Sequence, residues 1–266
     1  MNRKNIVALV TAVLIGYSVS PSFSQEGIFC DSFESCPTDD GDAIVALQGR
    51  VAALEALLAD VSRGVDPMTG QDTLTFGVTG GMNLQVVNGT GTTEGDVNGK
   101  GNLIIGYNEN TGNAYEDTKT GSHVLVIGAS NSYTSYGGVV VGKGNLISEA
   151  YASVSGGTSN RAGGYGATVS GGQINVASGN WSSVSGGRFN EATTDNASVS
   201  GGDSNLASGN SASVSGGADN EASEYAASVS GGQNNVASGM WSSVSGGTGR
   251  DATASHCTEG DSGTDC

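Results

Sequence analysis

The sequence predicts a mainly β chain: a parallel β-roll, or solenoid, of 15-residue coils, preceded by a short α-helical coiled coil. Three observations predict it. The phrase Ser-Val-Ser-Gly-Gly, once with Thr in first place, begins at Ser153, Thr168, Ser183, Ser198, Ser213, Ser228 and Ser243, seven times at a constant spacing of 15 residues. Two further columns keep that spacing: Asn160, Asn175, Asn190, Asn205, Asn220 and Asn235, and Ala162, Ala177, Ala192, Ala207, Ala222, Ala237 and Ala252. Upstream, Ile44, Leu47, Val51, Leu54, Leu58 and Val61 recur at alternating three- and four-residue steps. A 15-residue unit has too little apolar side chain to fold alone, so a fixed short period implies units stacked on one another.

Composition bounds the function. The 266 residues carry a net charge of −16 with 45 Gly and 3 Pro. Glycine at every third place is lacking, which excludes collagen, and so acidic a surface repels phosphate, which argues against nucleic-acid binding. Residues 1–24 read as a secretory signal: Arg3 and Lys4 form a basic start, Ile6 to Tyr17 an apolar centre, and Ser22-Phe23-Ser24 a small-residue cleavage site. The apolar run is shorter than the ~20 residues that cross a bilayer, so no membrane span is expected after cleavage. The protein is then secreted or held on a bacterial cell surface. In an oxidising compartment the four cysteines are expected as two short-loop disulfides, Cys30–Cys36 and Cys257–Cys266, with bridges between chains as the alternative. Neither pair has the His and Cys partners of a zinc site.

In chain order, residues 25–42 form a Cys-containing acidic linker in which Asp39, Asp40 and Asp42 lack calcium-loop spacing, and Asp42 is placed to cap the next helix. The apolar stripe makes residues 43–63 a helix of three heptads, stopped by Gly64 and Pro67. A helix so short needs a second surface for its stripe. That surface is a parallel coiled coil joining several chains, or the open end of the chain's own solenoid. Residues 66–138 are an irregular β transition, with strands expected at Leu74–Val78 and Leu84–Val87 and a Gly/Asn/Thr turn region after them. Leu103-Ile104-Ile105-Gly106, Leu125-Val126-Ile127-Gly128 and Val139-Val140-Val141-Gly142 are early coils, the last aligning with Val154-Ser155-Gly156-Gly157 at a shift of 15. The insertion Tyr107–Ser122, with Glu109, Glu116 and Asp117, is expected as a surface loop.

Residues 139–252 are the regular roll and 253–266 a Cys-containing tail. In each coil strand alternation turns Val154, Val169, Val184, Val199, Val214, Val229 and Val244 inward, and the flanking serines outward. The Gly-Gly pair makes a corner, and the Asn column can hydrogen-bond along the stack. Stacked copies lie about 4.8 Å apart, so a constant charged column would repel itself. The constant columns are accordingly Ser, Val, Gly, Asn and Ala, and charges fall in variable places.

The unit Ser-Val-x-x-Gly-x-x-Asn-x-Ala-x-Gly, plainest in Val139–Asn145 and Asn175–Gly179, resembles the head repeats of trimeric autotransporter adhesins, the YadA-like heads. The resemblance covers about Leu103 to Ala252. It implies a left-handed parallel β-roll, three chains side by side in a homotrimer, and attachment to host or matrix. Gly156 and its copies replace the second apolar residue of the family's strand, the coiled coil is short and precedes the roll, and no membrane anchor is expected.

No catalytic constellation stands out and no cofactor is implied: His123 and His256 are isolated in sequence, serine is abundant because the repeat requires it, and the Gly-Gly corners lack the Lys of a phosphate loop. The expectation is a non-enzymatic, adhesin-like rod with a polysaccharide or extracellular-matrix ligand. Its candidate surface is Trp181 and Trp241, four coils or roughly 19 Å apart, with Tyr151 in the same column. Two alternatives stand beside it. One is an ice- or carbohydrate-lattice binder using the outward hydroxyls of Ser153, Ser155, Ser183 and Ser185; the other is a purely structural surface-layer component.

Overall fold

The computed structural model describes residues 40–58, 61–65, 71–76, 84–111, 117–260 and 263–264. The signal segment, Cys30, Cys36, Pro67, Glu116 and Cys266 lie outside the described residues. The chain divides into two units, one ending at Leu84 and one beginning at Gln85.

The first unit holds helix α1 (Asp40–Leu58) and an antiparallel pair, β1 (Val61–Val65) with β2 (Asp72–Phe76), in which Val61 lies opposite Phe76 and Val65 opposite Asp72. The heptad stripe therefore overreaches at its end. Asp42 falls inside the helix and not at its cap, and Val61 and Gly64 belong to a strand. The β-branched Val61, Val65, Thr73 and Thr75 favour the pleated state, and the pairing satisfies backbone groups that another helical turn would leave frayed. Along α1, Leu47, Val51, Leu54 and Leu58 are exposed in the single chain.

The second unit is a parallel β-solenoid. Its Ser-Val strands belong to a twelve-stranded sheet and its x-Ala strands to a nine-stranded sheet. A third side consists of single-residue bridges running through Thr158, Gln173, Arg188, Asp203, Ala218, Gln233 and Thr248. Each Val-sheet strand pairs with its copy one turn on: Val154 with Val169, Val169 with Val184, and so to Val229 with Val244. The next place in that column is taken by Glu259, which is also buried. The stack thus runs past Ala252 into the tail, where Thr258–Gly260 turns back on Gly263–Thr264.

Three small apolar columns fill the interior. The valines and the Ala162 column are at most 1% exposed, and a third column, Ala152, Ala167, Ser182, Ala197, Ala212, Ala227, Ser242 and Cys257, closes the remaining space. Cys257 is disulfide-bonded, and the other cysteines lie outside the described residues.

The asparagines form the polar side of the same interior. Asn175 is typical: its side-chain Oδ1 accepts the backbone N–H of Asn190 at 3.0 Å, while its Nδ2 donates to the carbonyls of Gly171 and Gly187. The amide therefore stitches backbone to backbone, and direct amide-to-amide bonds occur only at Asn190–Asn205 and Asn205–Asn220 among the described pairs. Among the described residues none of these buried asparagine side chains is left without a partner, which a low-dielectric interior requires.

The register corrects the sequence alignment in one place. Val139 and Val140 pair with Ser153 and Val154, a shift of 14, whereas Lys143 bridges to Thr158 and Asn160 bonds to Asn145, a shift of 15. The preceding turn keeps 14 throughout, with Leu125–Ala129 opposite Val139–Lys143 and Asn131 bonded to Asn145. Val140, which is buried, and not Val139 is thus the counterpart of Val154. Asn145 Nδ2 bonds to Val141 O as Asn160 Nδ2 bonds to Gly156 O, so Ser155 and Gly156 together stand opposite Val141. Two residues against one is a β-bulge, and every later turn inherits it. Leu84–Val87, expected as a strand, is irregular and exposed except for its neighbour Asn88.

Candidate functional site

Each turn passes through the left-handed backbone region at three places, as at Gly172, Ile174 and Trp181. One such column holds Tyr151, Trp181, Asn196, Ser211, Ala226, Trp241 and His256, all with φ between 54° and 62°. A side chain at such a corner points away from both flanking sheets, and non-glycine residues there cost about 1–2 kcal/mol each. Gly166 occupies the same column, so tryptophan at this place is not a backbone requirement.

The aromatic residues collect on this corner in two groups. In the first, rings meet edge to face from Tyr136 to Tyr151 (5.5 Å between centroids), Tyr151 to Tyr165 (5.6 Å) and Tyr165 to Trp181 (5.1 Å). In the second, Tyr225 meets Trp241 at 5.1 Å, with exposed Met240 next to it in the chain. Trp181 keeps 60% of its surface open and Trp241 51%. The inner side of the Trp181 ring lies against the backbone of Gly166. Edge-to-face contact of this kind fixes both rings with little loss of open area.

Tyr151 differs from the two tryptophans. Its hydroxyl donates to Glu94 Oε1 at 2.5 Å, and this bond to a carboxylate, with the repulsion between the two negative charges, pushes the phenol up to about 12. It serves to hold the segment around Glu94 on the solenoid. Nearby, His123 Nε2 accepts the backbone N–H of Asn88 at 3.1 Å, and Asn98 binds Ser122 and the Asn88 carbonyl.

Between the two groups the corner is polar and carries no cation: Asn180, Asp195, Asn196, Asn210, Ser211 and Glu224 are all exposed. Asp195 accepts the backbone N–H of Asn180, and Asn180 that of Tyr165, so these side chains also stand in register along the axis. The serine columns lie on a different side. Ser155 and Ser185 are exposed and Ser153 and Ser183 half-buried, so the hydroxyls follow the sheet register but are unequally open. The structure therefore separates the candidate residues into an aromatic corner and a hydroxyl side.

Tyr165, Tyr225, Tyr136 and Met240 escaped the sequence reading. The signal was there: Asn175–Gly187 and Asn235–Gly247 differ at a single position, Asn180 against Met240, and each tryptophan follows a tyrosine by 16 residues. On the third side, Arg188 pairs with Asp203 of the next turn at 2.5 Å and lies over the Phe189 ring. That pairing holds the Asp203 carboxyl below its ordinary range.

Among the described residues no three His, Cys, Asp or Glu side chains converge as a metal site, and no helix is long and apolar enough to cross a membrane. No protein-family model matches the chain, and no curated protein matches it.

Proposed function

We propose that this chain is a secreted or cell-surface, non-enzymatic fibrous protein: an adhesin-like rod, related in plan to YadA-like heads, that attaches to polysaccharide or extracellular matrix. The observation that carries this reading is the division of labour within each turn. From Val154 to Ala237 the inward Val, Ala and Asn columns repeat unchanged, while variation falls on outward-facing places and the exposed tryptophans stand at corners. Such a molecule is a rigid display, with recognition placed on its edges.

Assembly as a homotrimer belongs to the same proposal. Two surfaces support it. One is the open stripe of α1. The other is the outward face of the early turns, where Leu103, Leu125 and Val139 form one column and Ile105, Ile127 and Val141 another before serine replaces the first at Ser153. Leu103 and Ile105 are 46% and 53% exposed in the single chain. Apolar columns of this sort gain from being covered, at about 25 cal/mol per Å².

Sedimentation of the secreted chain tests assembly: a mass of three chains is expected, falling to one when Leu47 and Leu54 are both replaced by Asp. Retention on polysaccharide- and matrix-coated surfaces tests attachment, and a chain that binds neither refutes it. The in-register hydroxyls of Ser153, Thr168 and Ser183 support a second reading, lattice binding. Measurable thermal hysteresis would favour that reading over the rod.

A further inference from the structure

The aromatic corner is built twice. Tyr165 with Trp181 and Tyr225 with Trp241 have the same 5.1 Å ring separation and closely similar interplanar angles of 74° and 71°. Sixty residues, four turns, separate them, which places the two tryptophans about 19 Å apart along one edge of the rod. Only two tryptophans occur in the chain, and both are here.

We infer that this edge is a two-station binding site for a single strand of neutral β-linked polysaccharide lying along the rod axis. The inference rests on the reading of the chain as an attachment rod, and adds the ligand class and its orientation. Three observations choose the occupant. First, each station is an L-shaped pair of rings with over half of the indole open, and flat C–H faces of equatorially substituted sugars stack on such rings. Second, the saddle between the stations offers carboxylate and amide groups at Asp195, Asn196, Asn210 and Glu224, a row of hydrogen-bonding partners for sugar hydroxyls. Third, the saddle has no Lys or Arg among residues 179–181, 194–196, 209–211, 224–226 and 239–241, on a chain of net charge −16. A sulfated or uronic polymer would meet two carboxylates and no cation, so charge selects a neutral strand.

The backbone adds to the case. Trp181 and Trp241 sit at φ 58° and 61°, where glycine at the equivalent Gly166 serves without strain. Retaining a bulky ring twice at a place that disfavours it is the signature of residues kept for contact. Two matching Tyr–Trp pairs on a common scaffold also convert weak stacking into firm attachment, since the second contact of one strand is intramolecular.

Intrinsic tryptophan fluorescence reads this edge directly. Chitohexaose, cellohexaose and laminarihexaose are the short probes, colloidal chitin and soluble cellulose derivatives the long ones, and heparin and polygalacturonate the charged controls. At least one neutral probe is expected to shift the emission, and both controls to leave it unchanged. Trp181→Gly or Trp241→Gly keeps a backbone-compatible residue at the corner. Either change should weaken a hexaose roughly tenfold at the altered station and a long polymer by about a hundredfold. Circular dichroism and Tm verify the fold of each variant.

Failure takes distinct forms. A chain that attaches to matrix protein but gives no response to any neutral glycan overturns the corner assignment and leaves the rod reading standing. Glycan binding unmoved by the double replacement, read by calorimetry and by co-sedimentation with the long polymers because no tryptophan remains, also overturns the corner. A double replacement that lowers the sedimenting mass without any glycan response would assign the edge to a second copy, against this inference. Absence of attachment to every surface would remove the rod reading itself.

Discussion

The solenoid has two kinds of turn. From Leu125 to Val154 the register advances by 14 residues, and from Thr158 onward by 15. In the shorter turn one strand, Val139–Lys143, runs unbroken past its glycine; in the longer one it is split into Ser153–Val154 and a lone bridge at Thr158. The inward residue is valine in both. What changes is the outer face, from Leu125, Ile127, Val139 and Val141 to serine and glycine. The bulge thus coincides with the replacement of an apolar flank that invites covering by a hydroxylated flank at ease in water, while the inward valine stays in place.

That contrast can be broken most severely at the second glycine of the pair. A Cβ at Gly202 would run into the carbonyl oxygen of Gly217, whereas one at Gly201 meets nothing within 4 Å. Gly202→Ala is expected to cost more than about 3 kcal/mol, in the range of overpacking and lost backbone bonding. Gly201→Ala, with φ at 154°, should cost only about 1–2 kcal/mol. Thermal unfolding of the two variants side by side checks the order; equal losses would refute it.

Asn190→Ala comes next. It leaves the Asn205 N–H and the Gly186 carbonyl without the Asn190 side chain and removes one of two donors to the Gly202 carbonyl, which keeps the Arg188 N–H. A loss of about 2–4 kcal/mol follows from burying such groups unsatisfied, together with faster amide exchange at Asn205. Asn131 makes the corresponding bonds in a 14-residue turn, so Asn131→Ala should cost a similar amount. A much smaller loss at Asn131 would mean that the bulge altered the core after all.

Val184→Ala removes two methyl groups from a fully buried place and should lower stability by about 1.5–2.5 kcal/mol. At the small end stands Arg188→Ala, where an exposed ion pair between neighbouring turns is worth under about 1 kcal/mol and fades in salt. The Tyr151 phenol gives a pH signature. Its pKa is raised to about 12 in the folded chain from an ordinary 10, so its contribution is complete below pH 10 and disappears as pH rises through 12. Ultraviolet titration of the phenolate band should show late ionisation from Tyr151 and from Tyr133, whose phenol burial also raises, and Glu94→Gln should bring only the Tyr151 part back towards 10.

The period, the inward valines and the parallel stacking were legible because one residue type per column was enough to reveal them. The bulge was not. A shift of 15 matches Val141, Gly142 and Asn145 to Gly156, Gly157 and Asn160, and letter matching cannot tell that Val139 and Val140 move by 14; the decision lies in which valine faces inward. The helix end was misjudged for a related reason: Val61 continues a heptad, yet its hydrogen bonds go to a partner strand lying after the heptads. The tryptophans were visible, but their tyrosine partners sit 16 residues away, in an adjoining column of the previous turn, and only the coil geometry joins them.

The four-turn copy carrying Tyr225 and Trp241 has a consequence for how such a molecule changes over generations. Because the turns between Val154 and Asn235 meet their neighbours through the same valines, alanines and asparagines, exchange between misaligned copies of that part of the coding sequence adds or deletes whole turns without spoiling a junction. Each added block of sixty residues would bring one more ring pair at the same pitch. The length of the solenoid and its number of ring pairs would then grow together, in steps set by the repeat.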